Sequence, residues 1–307
     1  GVAAGSATIT YTVSNTCGSA YVTTTVTVTT AYTPGNLVVL QEDSTASVGT
    51  GVTLLEYNTT TANQTSAYTT VHFPSSGASP RLVNSGSATS EGMMSLDSER
   101  THIIVPGYDT ILNTTGVASA ANVRRSIFSV LPSTSYTNVV SVAQSIAYSA
   151  NNMRSATAAG TRYYTAGTSG TGGTNGILKL NGSTGNQVSS TVTNTRVVGI
   201  YNGQLYFSTG SGTVGIYSVG SGIPTASGTT STPVAVSGTA PTSPYGFAIS
   251  PDANTMYLAD DATSTGGIFK YTRTGGTGTF TFQYRVTTTA VRGLTVDFTT
   301  TPYTCYA

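Results

Sequence analysis

The sequence is poor in charge, cysteine and histidine, and it has no tryptophan. Of its 307 residues only 7% are charged, the net charge is +1, and there are two cysteines and two histidines. Without a basic stripe, nucleic acid is not an expected partner. No apolar run approaches the ~18 residues that cross a membrane. Two histidines and no C-x-x-C pair match no zinc motif, so no bound metal and no cofactor are expected.

Glycine, tyrosine, threonine and serine are abundant in the sequence. With 38% hydrophobic residues the chain can still bury a core, so a folded protein is expected rather than a disordered one. The low charge and the Thr-rich, Gly-rich composition favour an extracellular or cell-surface bacterial protein. No charged start followed by an apolar segment is present, so we expect any signal peptide to have been removed.

Residues 243–261, SPYGFAISPDANTMYLADD, read as two short strands joined by a tight turn. The first strand is GFAI and the second is TMYLA, which is rich in β-forming residues. Between them PDAN contains residues that pre-set φ or bond their own backbone. This strand–turn–strand phrase is the unit around which the chain is organised.

Less regular copies of this strand–turn–strand pattern recur along the chain. The copies begin at Glu91, Arg154, Arg196, Tyr245 and Arg292, at intervals of about 40–60 residues. The copy at Arg196 contains Asn202-Gly203, a strong hairpin signal. Such a period, filled with strands, predicts an all-β fold, a β-propeller of about six blades. A solenoid of stacked strands is the alternative.

Residues 1–33 stand apart as a predicted β-hairpin with its turn at residues 14–19. The phrase GSATITYTVSNTCGSAYVTTTVTV resembles the last two strands of the Ig-like repeats of large secreted bacterial proteins. Those repeats are complete sandwiches, whereas an isolated hairpin is marginal in water. The hairpin is therefore expected to pair with something else, completing or exchanging into a blade.

Residues 34–307 are expected to form the propeller. GNLVVLQ, LLEYN, SGSATSEG, NNMRS, NTRVVGIYNGQLYFSTGSG, SPYGF, MYLADD and VRGLTVDF are together similar to a propeller-like domain of secreted bacterial cell-surface proteins. The resemblance implies a structural or adhesive module without catalytic residues. In this reading the first blade lacks its inner strand and the last blade lacks its outer strands, which leaves sheet edges exposed.

Cys17 lies in the hairpin turn and Cys305 lies in the last predicted strand. In an oxidising compartment such a pair is expected to form a disulfide, within one chain or between two. Two unrelated buried cysteines are the alternative.

Several polar motifs are candidate modification or binding sites. Four N-x-S/T sequons are possible glycosylation sites, although chance matches are common in so Thr-rich a chain: Asn58, Asn63, Asn113 and Asn181. Asp252, Asp260 and Asp261 can supply calcium ligands, but without EF-hand spacing solvated turn carboxylates are favoured. Strand tyrosines are expected to pack between blades rather than to stack on sugars. Arg154, Arg196 and Arg292 occupy one repeat position and are expected to form ion pairs or to cap carbonyls.

No catalytic constellation is expected. Glu91 is the only acid at the start of an inner strand, and His72 and His102 lie in strand-like alternation rather than in catalytic-loop phrases. The sequence reading is that the protein is not an enzyme. It favours an extracellular structural subunit of a filament or surface assembly, with copies of itself as partners joined head-to-tail by strand exchange. A monomeric glycan-binding adhesin is the alternative, and a lactonase-type propeller is less favoured.

Overall fold

The structure is a computed structural model that describes residues 5–28, 32–120, 122–131, 136–170 and 174–307. These residues form strands, turns and loops, and none of them is in a helix. The all-β prediction is confirmed. Among them no helix is long and apolar enough to cross a membrane.

The first two strands form a sheet of their own. Strands β1 (Gly5–Asn15) and β2 (Gly18–Val28) pair antiparallel around a turn at Thr16 and Cys17, as predicted. Among the described residues this hairpin pairs with no blade strand. Ile9, Tyr11 and Val22 stay more than half exposed. The expected completion of a blade by the hairpin is therefore not seen within the chain.

The first two blades share one sheet. The first blade comprises β3 (Leu37–Glu42), β4 (Gly49–Tyr57) and β5 (Thr69–His72), with β4 in the middle. A short strand, β6 (Val83–Ser85), joins β4 to the second blade. The second blade has the order β7 (Ser95–Leu96), β8 (Ile103–Asp109), β9 (Arg124–Val130) and β10 (Tyr136–Val142).

Two regular four-stranded blades follow, each an antiparallel meander. The third blade is β11 (Met153–Ala159), β12 (Arg162–Gly167), β13 (Gly176–Asn181) and β14 (Thr184–Ser189). The fourth is β15 (Thr195–Tyr201), β16 (Gln204–Thr209), β17 (Gly215–Val219) and β18 (Ser231–Pro233). Asn202 and Gly203 both have positive φ, as the predicted tight turn requires.

The remaining strands form the fifth blade and a partial sixth. The fifth consists of β20 (Pro244–Ile249), β21 (Thr255–Asp260), β22 (Gly267–Thr272) and β23 (Phe280–Thr287), with β19 (Val236–Ser237) added parallel to β23. The sixth contains β24 (Thr295–Asp297) and β25 (Thr304–Tyr306).

Apolar cores lie between consecutive blades. Val105 and Phe128 of the second blade pack on Leu54 of the first, together with Tyr32, which precedes β3. Four similar clusters join the second blade to the third, the third to the fourth, the fourth to the fifth and the fifth to the sixth. Because each blade buries its faces against its neighbours in chain order, the six blades form a β-propeller.

The ring closes between the two partial blades, a place we call the seam. Arg292, just before β24, donates from Nη1 to the carbonyl oxygen of Thr89, which precedes β7, at 2.5 Å. Among the described residues no buried apolar cluster joins the sixth blade to the first. A cavity lies there instead.

Candidate functional site

The seam cavity has a volume of about 410 Å³. This volume falls in the range of small-molecule sites, which are about 300–1,000 Å³. It lies between β3 of the first blade, the β7–β8 corner of the second and Thr295 of the sixth. Its wall is formed by Tyr32, Thr33, Pro34, Gly35, Asn36, Leu37, Val38, Met94, Ser95, Leu96, Arg100, Thr101, His102, Ile103, Val130 and Thr295.

The walls are apolar because they continue the core between the first two blades. Val38, Met94 and Ile103 are half-buried and pack against buried Val130. An apolar wall excludes water and strengthens each electrostatic interaction made inside the cavity. The few polar side chains on the wall therefore decide what the cavity can do.

The turn between β7 and β8 brings an aspartate and a histidine together. Nδ1 of His102 lies 2.7 Å from Oδ2 of Asp97. The same carboxylate accepts hydrogen bonds from the backbone N–H of Thr101 at 2.6 Å, its hydroxyl at 2.9 Å and the backbone N–H of His102 at 3.1 Å. The Asp97 side chain is 7% exposed, whereas His102 is 32% exposed and lines the cavity.

The hydrogen bonds keep Asp97 ionised. Burial acts to raise the pKa of Asp97, but the bonds from His102 and Thr101 together outweigh burial and hold this pKa below its usual value. An ionised Asp97 accepts the Nδ1–H of His102, which leaves the Nε2 lone pair of the imidazole as a base. This base–orienter pair is the part of a hydrolytic triad that activates a nucleophile.

Tyr32 also lines the cavity, and the buried Glu56 carboxylate lies close behind it. The hydroxyl of Tyr32 is buried and has no hydrogen-bond partner among the described residues. Burial raises the pKa of Tyr32 well above its usual value, and the nearby Glu56 carboxylate adds to the effect. Glu56 accepts hydrogen bonds from the backbone N–H of Thr33 and from Nδ2 of Asn36, each at 2.6 Å. The Tyr32 hydroxyl therefore stays protonated, and its oxygen is covered by the surrounding protein.

The predicted Cys17–Cys305 disulfide is absent within the chain. Both cysteines are free thiols. Cys17 is exposed at the hairpin tip, while Cys305 is half-buried on β25 and packs in the core between the fifth and sixth blades. Because the hairpin does not pair with a blade strand, nothing brings the two thiols together.

The four sequons are on the surface but not in one place. Asn63, Asn113 and Asn181 are exposed. Asn58 is half-buried, and its Oδ1 accepts from the backbone N–H and the hydroxyl of Thr60 at 2.8 and 2.7 Å. Glycosylation stays a prediction.

The candidate calcium carboxylates each have protein partners of their own. Asp252 accepts from the Ser250 hydroxyl at 2.5 Å, and Asp260 accepts from the backbone N–H groups of Thr242 and Ser243 at 2.7 and 2.8 Å. Asp261 pairs with Arg292. Within the described ranges no three His, Cys, Asp or Glu side chains form a metal-binding group.

The three repeated arginines cap carbonyls, as predicted. Nη1 of Arg154 donates to the carbonyl of Thr195 at 3.2 Å, and Nη1 of Arg196 donates to that of Pro244 at 3.0 Å. In both cases the acceptor begins the inner strand of the next blade. Strand tyrosines such as Tyr164 and Tyr217 are buried in the core between the third and fourth blades.

The Asp97–His102 pair was missed by the sequence reading. His102 does lie at a strand start, but its side chain turns back onto the preceding corner. The available signal was an aspartate five residues before a histidine across a turn-like segment.

Comparisons with known proteins give only distant similarities. No family model matches the chain, and no curated protein matches it. Eight solved chains are similar. Two are described as putative 6-phosphogluconolactonases, one from Bacteroides uniformis ATCC 8492 and one from Bacteroides fragilis NCTC 9343. Each has a TM-score of 0.46 and 11% identity over 86% of this chain, and the match covers 87% and 85% of the respective structures.

This comparison contradicts two sequence predictions. The prediction of a filament or surface-assembly subunit is contradicted, because the two structures named above are described as putative 6-phosphogluconolactonases. The prediction that the protein is not an enzyme is contradicted for the same reason. The prediction of no enzyme had rested on the lack of a recognisable catalytic constellation, and the prediction of a filament had rested on the unpaired hairpin and the open blade edges.

Proposed function

We propose that the protein is a hydrolase that opens a lactone or ester bound in the seam cavity. The observation that supports this proposal is the 2.7 Å contact between His102 Nδ1 and Asp97 Oδ2 on the wall of a ligand-sized cavity. The likeness to structures described as lactonases is too distant to add weight. It serves only to put lactones in the substrate panel.

In the proposed reaction His102 is the general base and Asp97 is its positioning residue. Nε2 of His102 takes a proton from water as the water oxygen bonds to the ester carbonyl carbon. The C–O bond to the leaving oxygen then breaks, and that oxygen takes the proton back from Nε2. Asp97 stays ionised throughout and stabilises the imidazolium.

Donors on the cavity wall can stabilise the negative oxygen that forms. Arg100 lines the cavity and is exposed, so its guanidinium group can turn toward a bound substrate. Donors that are in place before the reaction lower the barrier because they need no reorganisation. The apolar walls fit the hydrocarbon part of a substrate.

The test is hydrolysis of a panel of aryl esters and five- and six-membered lactones. We expect His102→Gln to lower kcat/KM by about 10²–10⁴-fold, the contribution of a general base. His72→Gln is the matched control. The His72 side chain is exposed on β5, bonds the Thr53 hydroxyl at 3.0 Å and does not line the cavity, so this variant should keep full activity. Equal loss in both variants, or no turnover of any panel member, would refute the proposal.

We also propose an extracellular or cell-surface location. It is supported by the 7% charged residues and the dominance of small polar residues. Fractionation of the native source with an antibody to the folded chain would test it.

A further inference from the structure

The inner strands of the propeller begin at one mouth of the central channel. Residues 89–93 enter the second blade there, and β11, β15 and β20 start at the same level. The His102 corner follows the other end of β7. Arg154 and Arg196 lie at the opposite ends of their own strands, at the starts of β11 and β15.

Three arginines gather at this mouth around one tyrosine. The guanidinium carbon of Arg196 lies 4.2 Å from the ring centroid of Tyr245, and that of Arg292 lies 4.9 Å from it. Arg154 is close enough to interact electrostatically with Tyr245 and with Arg196. Tyr245 is 6% exposed, so its ring fixes both stacked guanidinium planes.

The positive charge at this mouth is not balanced by carboxylates. Among the described residues neither Arg154 nor Arg196 has an ion-pair partner. Their Nη1 atoms meet neutral oxygens, those of Asn194 and Thr195 for Arg154 and of Ser243 and Pro244 for Arg196. Their Nε atoms are buried without a described partner.

Two acids face the same region, and among the described residues only Asp261 forms an ion pair with one of the three arginines. Asp261 pairs with Arg292 at 2.6 Å. Burial raises the pKa of Glu91, although hydrogen bonds from Tyr108, Ser85 and Asn152 oppose the rise. Burial also lowers the pKa of Arg154, and the neighbouring Arg196 charge acts in the same direction. Bringing like charges together costs free energy that a bound anion would recover.

We propose that this mouth binds a polyvalent oxyanion, such as phosphate or a small dicarboxylate, between Arg154, Arg196 and Arg292. Guanidinium groups present paired N–H donors that match the oxygens of phosphate and carboxylate. Stacking on Tyr245 holds the guanidinium groups of Arg196 and Arg292 in place, so these side chains lose little conformational entropy when an anion binds. The site does not depend on the proposed hydrolase activity.

Calorimetric titration of the full chain with inorganic phosphate at low salt tests the site. We expect saturable binding that weakens as sodium chloride is added, because the contact is electrostatic. Arg196→Gln should weaken phosphate binding about tenfold or more, since it removes a charge-assisted fork and the stacking. Arg196→Lys should bind phosphate with an affinity between those of the wild type and Arg196→Gln. Arg162→Gln is the control, because Arg162 is exposed next to the Ala159–Gly160 turn at the far end of β11 and should leave binding unchanged.

A second measurement avoids substitutions that disturb the carbonyl caps. Phenylglyoxal modification of the wild-type chain, read by peptide mass spectrometry, should be slowed by phosphate at Arg154, Arg196 and Arg292 but not at Arg162. Absence of both saturable heat and selective protection would overturn the proposal. So would binding that is unchanged in a folded Arg196→Gln variant.

Discussion

At the scale of single residues, burial raises the pKa of two carboxyl groups, but hydrogen bonds reverse the shift in only one of them. Asp97 has hydrogen bonds from Thr101 and His102 that keep its pKa low. Glu42, at the end of β3, has few donors. Burial, together with the nearby Glu91 charge, raises the pKa of Glu42 to about 7, against a smaller lowering by the Asn84 amide. The number of hydrogen-bond donors around a carboxyl group decides whether the fold favours its ionised or its protonated form.

The raised pKa of Glu42 predicts a pH-dependent stability. Between about pH 4.5 and 7 the folded state holds a proton that the unfolded state releases, so the free energy of unfolding should fall as pH rises. Because Glu42 is partly exposed, solvent screening reduces the effect to about 1 kcal/mol. Urea denaturation at a series of pH values measures it.

Glu42→Gln should flatten this decline, leaving only the part due to Glu91. Glu99→Gln is the matched control, since Glu99 is an exposed acid on the β7–β8 corner. A Glu42→Gln variant whose stability falls with pH as steeply as that of the wild type would contradict the prediction.

Single-residue roles were only partly predictable from sequence. The arginine caps could be predicted because a repeated position implies a repeated contact. The Asp97–His102 pair could not, because it depends on the direction in which one side chain leaves the β8 start. A Cys17–Cys305 disulfide was predicted from the expected oxidising compartment. A disulfide also requires the two cysteines to lie close together, and composition does not encode that.

At the scale of elements, the β1–β2 hairpin is a separate unit. Its strands pair only with each other among the described residues, and Tyr11 and Tyr21 are 68% and 74% exposed. We expect a chain that begins at Tyr32 to unfold at the same urea midpoint as the full chain, since no blade loses a strand. A decrease of more than about 1 kcal/mol in the free energy of unfolding would show that the hairpin supports the propeller.

Strands with strong local signals were predicted well, and strands defined by their neighbours were not. The hairpin of β15 and β16 follows from Asn202-Gly203 and alternating apolar residues. By contrast, residues 91–96 were expected to form a full inner strand, but only Ser95 and Leu96 pair regularly with β8. Met93 instead bridges to Ser155 of the next blade. Such pairing between blades leaves no mark in a local window.

At the scale of the whole molecule, buried apolar clusters close five interfaces between blades, and among the described residues none closes the seam. Arg292 carries much of the seam contact, with its bonds to Asp261 and Thr89 and its stacking on Tyr245. We expect Arg292→Ala to lower the free energy of unfolding by about 1–2 kcal/mol and to speed hydrogen exchange in β24. Urea denaturation and hydrogen-exchange mass spectrometry measure the two effects.

Arg285→Ala is the control for this variant. Arg285 also stacks on an aromatic ring, that of Phe269 at 5.0 Å, but it lies on the outer strand β23. Arg285→Ala should lower the free energy of unfolding by less than about 1 kcal/mol and leave hydrogen exchange in β24 unchanged. Equal exchange in β24 of the wild type and Arg292→Ala would mean that the seam is held by other contacts.

The propeller itself was predictable because the repeat and its period are properties of the sequence. The structure of the seam was not predictable from the sequence. The sequence reading took the partial first and last blades as vacancies for another chain, whereas a ligand-sized cavity beside His102 lies at that place. Whether two distant segments enclose a cavity depends on how the ring closes, which no local pattern reports.

The seam also has a consequence for the kinetics of folding. The arginine caps join residues 41 and 48 positions apart, so neighbouring blades can dock soon after they are made. The bond from Arg292 to Thr89 spans 203 positions. Closing so long a loop costs more chain entropy than any step between neighbours. We therefore expect the blades to assemble in chain order as an open arc, with the cavity and its histidine completed in the final, slowest step.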